Sequence, residues 1–388
     1  MQIILVLILI LILGYAGAHL HFYKSKLPLG TSYILFAGSE YLLLGLILTI
    51  PPLAALTPNV TERLFPVLNM GLGWIGLMFG LQFEWGRLRR IPLSFMGITL
   101  VQALITLLIA WAGLKLFSPT EPGSAPLWLL AAVASLSAPT CLAYLRSYHK
   151  FPLSAQHLVN YISSLDSIVG ILFFILLTCV WPANELYCSR INLLYYPIFA
   201  GILIFIFHFL IRFRIGAAEL LILTVGMVLF SSGIARSYGI SPLLLNILLG
   251  IGIINLPSTN HRELAGILHG QEKPIYIIFL VLAGANWHPL ATNFPILLIY
   301  LAAHLAGKLL GGSLAGKIFP PHFSLKQNWG LALSPQGGMG IALAVDYLQY
   351  RPGGAGFLVL NIIIPATIIS QLFGPFLIIQ GLGKRIDR

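Results

Sequence analysis

The chain has 388 residues, of which 58% are hydrophobic and only 9% charged, with 22 Lys and Arg against 11 Asp and Glu. A soluble chain carries roughly a quarter charged residues, so this composition excludes an ordinary soluble enzyme, a nucleic-acid-binding protein and a disordered regulator. The net charge of +11 therefore needs a membrane explanation before any acidic partner is invoked.

A bilayer span takes about 20 mainly apolar residues, because unpaired backbone groups in hydrocarbon are costly and a helix pairs them internally. The sequence offers about thirteen such stretches, at residues 2–20, 30–50, 65–84, 92–116, 126–146, 153–180, 192–212, 216–235, 240–256, 264–285, 293–318, 328–349 and 354–382. The predicted fold class is an all-α polytopic membrane protein with no room for an extramembrane domain. The opening MQIILVLILILILGYAGAH lacks a basic residue before its apolar run, so it is expected to be a retained first helix rather than a cleaved signal. Cys141, Cys179 and Cys188 are too few and too scattered for a disulfide framework or a metal site, and are read as packing residues.

Charge placement gives the orientation, since Lys and Arg are retained on the cytoplasmic side. The odd-numbered loops and the C-terminus hold Lys24, Lys26, Arg87, Arg89, Arg90, Arg146, Lys150, Arg212, Arg214, Arg262, Lys317, Lys326, Lys384, Arg385 and Arg388. The even loops hold Arg63, Arg190, Arg236 and Arg351, with Lys115 at one edge. The bias predicts an external N-terminus and a cytoplasmic C-terminus. It also accounts for most of the excess charge without nucleic acid.

Of the ionisable residues that fall inside predicted spans, Glu40, Asp166 and Lys308 are the clearest cases. A charge at mid-bilayer costs at least roughly 2.5 to 3.5 kcal/mol, so such residues pair, line a wet cavity or change protonation state. Asp166 lies in NYISSLDSIVGILFFIL, where Asn160, Ser163, Ser164 and Ser167 can add oxygens for a small cation. A carboxylate among oxygen donors suits a hard cation, and the same carboxylate can instead carry a proton. A structural carboxylate paired to a Lys or to hydroxyls is the other reading. Lys308 sits about ten residues from either end of its apolar stretch, too deep to snorkel. Gly307, Gly311, Gly312 and Gly316 around it permit close helix approach, and Asp166 is the expected partner. His304, one turn earlier on the same face, either joins a polar path or is a satisfied core histidine.

Two spans are interrupted. In WLLAAVASLSAPTCLAYLRSY, Ser135, Ser137, Pro139 and Thr140 break the apolar run midway; in NWGLALSPQGGMGIALAVDY, Ser334, Pro335, Gln336, Gly337, Gly338 and Gly340 do the same. Proline removes a backbone donor and frees carbonyls upstream, and irregular backbone at membrane depth is tolerated only where protein or a wet cavity receives its polar groups. The triplet 92–116, 126–146 and 153–180 parallels 293–318, 328–349 and 354–382, seven spans apart. An odd offset makes the copies enter from opposite sides, an inverted repeat of the kind that builds secondary transporters around a midplane site. Asp166 and Lys308 would offset the partial charges of the half-helix ends.

The whole chain then resembles the cation/proton antiporter superfamily, closest to its second family of bacterial sodium or potassium antiporters. The resemblance rests on LGWIGLMFGLQFEWGRLRRIP at 72–92, SAPTCLAYLR, SLDSIVGI, HLAGKLLGGSLAGKI and GLALSPQGGMGIALA, in that order. It implies a homodimer in a bacterial inner membrane, in which a fixed scaffold carries a transport domain that moves as an elevator. By analogy, residues 1–91 and 216–290 form the scaffold and dimerisation helices. Residues 92–182 and 291–388 form the transport domain, with 183–215 as a linker helix. The resemblance makes Asp166 the shared carrier of cation (Na+, Li+ or K+) and proton, and Lys308 its charge partner. Ser137, Thr140, Ser167 and Ser334 become ion-site or cavity-lining candidates, and Pro139, Pro335 and Gly337 the broken-helix backbone. No cofactor is expected beyond the transported ions. Glu40 corresponds to a glutamate common in the family's second helix, though FAGSEYLLLGLIL departs from the usual surroundings.

The family's adjacent polar pair is represented here by either Leu165-Asp166 or Asp166-Ser167. With one acid at this place, exchange is electroneutral if Lys308 keeps its proton and not otherwise. Gly338 replaces an acid found in some relatives. A potassium exchanger or efflux system is the nearest alternative, although such systems often carry a nucleotide-binding domain and this chain ends at Arg388. An organic-anion symporter of similar fold comes next, and a membrane enzyme or sensor last, since no His-Glu-x-x-His, Walker loop or nucleophile elbow is present.

Overall fold

Apolar segments of membrane length form helices throughout a computed structural model that describes residues 2–19, 29–51, 55–117, 125–180, 192–211, 216–256, 261–321, 323 and 326–383. The first apolar run is α1 (Gln2–His19). The second predicted span is divided, into α2 (Leu29–Ala37) and α3 (Glu40–Ile47). Gly38 adopts a φ of 77° between them, a left-handed conformation that glycine takes without a Cβ clash and that ends a helix. The continuous span expected over 30–50 is therefore an interrupted one.

Short α4 (Pro58–Arg63) leads into α5 (Phe65–Gly80), and α6 (Trp85–Leu88) is a single turn before α7 (Leu93–Phe117). The first serine- and proline-containing span gives α8 (Ala125–Ser135) and α9 (Pro139–Leu145), followed by α10 (Leu153–Val180) and α11 (Asn192–Ile211). Then come α12 (Ala217–Ser237), α13 (Pro242–Ile254), α14 (His261–Ala285) and α15 (Phe294–Ile318). The second interrupted span enters as a 3-10 turn over Trp329–Leu333 and leaves as α16 (Gly338–Tyr350), and α17 (Gly354–Leu382) closes the described chain. Among the described residues, seven helices are long and apolar enough to cross a bilayer, or eight with α2 and α3 taken as one span. The fold is all-helical, in an integral membrane protein.

The chain passes back and forth between two compact units. One is built from Met1–Phe22, Tyr41–Arg90 and Pro182–Asn286, the other from Tyr23–Glu40, Ile91–Trp181 and Trp287–Arg388. In the first, α5 and α13 lie so close that a Cβ on Gly250 would stand 3.0 Å from the Cα of Gly80. Trp74, Leu77, Leu203, Phe207, Leu249 and Ile253 make a buried cluster around that contact. Asn246 is buried there with its amide satisfied: Ser231 Oγ donates to Oδ1 at 2.6 Å and Nδ2 donates to Pro242 O at 2.9 Å, as a buried amide requires. Ile198, Ile202, Phe205 and Phe209 of α11 are exposed apolar side chains, the surface that hydrocarbon rather than water would cover.

In the second unit the small residues of α15 bring it against α7. A Cβ on Gly307 would meet the Cα of Thr106 at 2.9 Å, and one on Gly311 would meet Gln102 O at 2.9 Å. Small faces of this kind let membrane helices pack by backbone approach. Ile98, Leu142, Leu145, Leu158, Ile162, Leu333 and Ile378 form the apolar cluster on one side of the two interrupted spans. Lys24, Lys26, Arg190, Arg212, Arg214, Lys384, Arg385, Arg388 and Cys188 lie outside the described residues, as do the side chains of Cys179 and Arg262.

Candidate functional site at the crossing of the interrupted spans

The site begins with two backbone breaks. The helix α8 ends at Ser135 because Ala138 precedes Pro139 and is driven out of the helical region, to φ −108° and ψ 116°. Pro139 then occupies the first turn of α9, where its missing N–H is not needed. In the second span Gly337 is extended (φ −131°, ψ −171°) and opens α16. The breaks cross directly: the Ala138 N–H donates to Pro335 O at 2.7 Å. A Cβ on Gly337 would lie 2.9 Å from the Cβ of Ala138, so the crossing needs glycine at that position.

The breaks release polar groups that side chains from two long helices then meet. Asp166, in the middle of α10, and Lys308, in the middle of α15, are both fully buried. Lys308 Nζ lies 3.4 Å from Asp166 Oδ2. It also donates to Ser135 O at 2.5 Å and to Ser137 Oγ at 2.8 Å, so its three donors have three acceptors. Ser137 Oγ donates in turn to Asp166 Oδ2 at 2.5 Å, and the Ser137 N–H donates to Oδ1 at 3.3 Å. Ser137 thus stands between the two charges, accepting from one and donating to the other. Ser135 O is one of the carbonyls left over at the end of α8, where the helix dipole favours a cation.

The other candidates fall in different places. Thr140 is exposed, and its Oγ1 is paired with Tyr33 Oη at 2.8 Å. Ser167 is buried beside Asp166 on α10. The carbonyl of Asn160 accepts from Ser164 Oγ at 3.0 Å. Glu40 opens α3 just after the Gly38–Ser39 interruption. The carbonyl of Ser334 accepts from His304, while its buried Oγ has no hydrogen-bond partner among the described residues. His304 reaches both interrupted spans, with Nδ1 2.8 Å from Ala134 O and Nε2 2.9 Å from Ser334 O.

A second polar chain runs through uncharged side chains. Gln336 Nε2 donates to Tyr300 Oη at 2.7 Å, the Gln336 N–H donates to Ser370 Oγ at 3.1 Å, and Gln371 Nε2 donates to Gln336 O at 3.3 Å. Ser39 Oγ donates to Gln371 Oε1 at 2.5 Å, which ties the end of α2 to α17. The signal was there as an uncharged amide in each of two spans, Gln336 and Gln371, but composition ranks amides below charges.

With two broken spans crossing beside a buried acid and a buried base, the fold can be compared with solved structures. The sodium proton antiporter MjNhaP1 from Methanocaldococcus jannaschii at pH 8 superimposes with a TM-score of 0.66 at 18% identity, over 99% of this chain and 100% of that one. A map of the same antiporter obtained by electron microscopy gives 0.63 at 16% identity, over 90% and 92%. The chain has the fold of a sodium proton antiporter. No protein-family profile and no curated protein matches the sequence, so the likeness is carried by the course of the chain.

Proposed function

We propose that this protein is a monovalent cation/proton antiporter in which Asp166 carries cation and proton alternately. The observation that carries the reading is the shared carboxylate: Asp166 is fully buried, faces both the hydroxyl and the N–H of Ser137, and has Lys308 Nζ 3.4 Å away. Burial disfavours the ionised form of a carboxyl group while a nearby ammonium and hydrogen-bond donors favour it. Opposed effects of this kind let a proton and a cation compete for one site. Asp166 oxygens, Ser137 Oγ and the freed Ser135 carbonyl are hard oxygen donors of the type a small monovalent cation accepts.

On this reading Lys308 holds the carboxylate when no cation is bound. An arriving Na+, Li+ or K+ displaces the ammonium from Asp166 and takes its place among these oxygens. Protonation of Asp166 on the opposite side of the membrane removes the charge that holds the cation and releases it. Coupling requires that the empty, charged site rarely crosses. The unit holding Asp166 and Lys308 is the moving part in an elevator-type cycle, and the unit of α1, α3–α6 and α11–α14 is the scaffold through which a homodimer forms. The likeness to a sodium proton antiporter over nearly the whole chain supports this reading.

The experiment uses the full chain in proteoliposomes with an imposed pH gradient. Addition of Na+, Li+ or K+ should collapse the gradient for the transported ion alone, and Asp166→Asn should abolish the response. Exchange by Asp166→Asn at the wild-type rate would overturn the assignment.

A further inference from the structure

A basic cavity lies at the C-terminal end of α15, away from the buried Asp166–Lys308 pair. Lys317 in the last turn of the helix, Lys326 and Gln327 of the loop that follows, and the buried Trp329 line it together with Pro320 and Phe323. Its volume is about 320 Å³, within the range of sites that hold small molecules. Close backbone packing fixes its walls. A Cβ on Gly312 would stand 2.6 Å from the Cα of Gly330, and Ser313 Oγ donates to Gln327 O at 2.7 Å.

The charge of the cavity is uncompensated. Lys317 and Lys326 are exposed, and among the described residues no acidic side chain lines the cavity and neither ammonium has a carboxylate partner. A Cβ on Gly383 would meet Lys326 Nζ, so this ammonium stands at the C-terminal end of α17. A helix end carries about half a negative charge, which leaves the two lysines with a net positive charge. Their complement is an anion. Leu310, Leu314 and Ile318, one turn apart on α15, are exposed and form an apolar stripe that runs up to Lys317. Hydrocarbon covers such a stripe in a bilayer. The cavity therefore opens at the depth where acyl chains give way to headgroups, and basic pockets beside membrane helices at that depth recognise anionic headgroups.

We propose that this cavity binds the phosphate group of an anionic phospholipid, with Lys317 and Lys326 on the phosphate and an acyl chain along Leu310, Leu314 and Ile318. A zwitterionic lipid offers the same phosphate but brings an ammonium of its own, which the two lysines repel. The bound lipid links the end of α15 to the loop that leads into the second interrupted span. Such a site does not depend on which ion, if any, the protein exchanges.

The test uses the full-length protein purified in a neutral detergent and titrated with phosphatidylglycerol or phosphatidylcholine, with bound lipid counted by native mass spectrometry. Phosphatidylglycerol should bind the more tightly. Each lysine near a lipid phosphate contributes about fivefold in affinity, so Lys317→Gln should lose about fivefold and Lys317→Gln with Lys326→Gln about 25-fold. Lys115→Gln removes the same charge from α7, outside the cavity, and should change the affinity less than about twofold. Lys317→Arg with Lys326→Arg keeps both charges and should retain the binding; loss in this pair equal to that in the glutamine pair would assign the lysines a packing role and overturn the proposal. Equal affinity for the two lipids, or an equal loss in Lys115→Gln, would also overturn it. Thermal unfolding with inorganic phosphate alone separates the sources of the anion. Stabilisation by phosphate equal to that by phosphatidylglycerol would make the occupant a soluble anion and overturn the lipid assignment, whereas stabilisation by the lipid only supports it.

Discussion

Ala138 donates its backbone N–H to Pro335 O at 2.7 Å, so the two interrupted spans are joined backbone to backbone at their breaks. Ser135 and Ser137 precede Ala138 in sequence, and Ser334 and Gln336 flank Pro335.

The contact leaves no room for a side chain at Gly337, where a Cβ would stand 2.9 Å from that of Ala138. Gly337→Ala should destabilise the protein by about 1–3 kcal/mol, the range for overpacking. Adding Ala138→Gly should restore most of the loss, because it removes the atom that the new Cβ meets. Thermal unfolding in detergent measures both, and equal stability of the two variants would show that the crossing relaxes in another way.

Lys308 and Asp166 should be strongly non-additive. Lys308→Met leaves the buried carboxylate without its ammonium and should cost about 3–5 kcal/mol, as removal of one partner from a buried pair does. Asp166→Asn in the same chain removes the uncompensated charge and should recover much of that loss. Additive losses in a double-mutant cycle would argue against a direct interaction at the 3.4 Å separation.

Ser137→Ala removes the hydroxyl that accepts from Lys308 and donates to Asp166. A hydrogen bond to a charged group is worth about 1.5–3 kcal/mol, and about 1.4 kcal/mol is tenfold in affinity. The KM for the transported cation should rise about tenfold or more, with exchange retained. An unchanged KM would place the cation away from this hydroxyl.

Competition at one carboxylate fixes the sign of the pH effect. Cation binding releases the proton from Asp166, so affinity falls with acidity. The apparent KM should rise toward about tenfold per unit as pH falls through the range in which the proton occupies the carboxylate, with the maximal rate unchanged. Initial rates at several pH values measure this, and an acid-dependent loss of maximal rate at constant KM would indicate separate sites.

The all-helical character of the chain and the places where two of its spans break are legible in the sequence. The bilayer imposes its demand locally, since each stretch of about 20 residues must pair its own backbone, and Pro139 and Pro335 act on their immediate neighbours. Asp166 and Lys308 stood out for the same reason: a charge within an apolar run is visible without knowing what lies across from it. The interruption at Gly38 was not visible, because Phe36, Ala37 and Gly38 read as apolar and only the positive φ shows the break. Tertiary structure alone decided which groups meet. Thr140 and Ser137 are both hydroxyls beside the first break, yet one pairs with Tyr33 and the other with Asp166 and Lys308. The two carbonyls around His304 come from positions 170 and 30 residues away. Hydropathy and charge act within one span, whereas a hydrogen-bond partner depends on how separate spans pack.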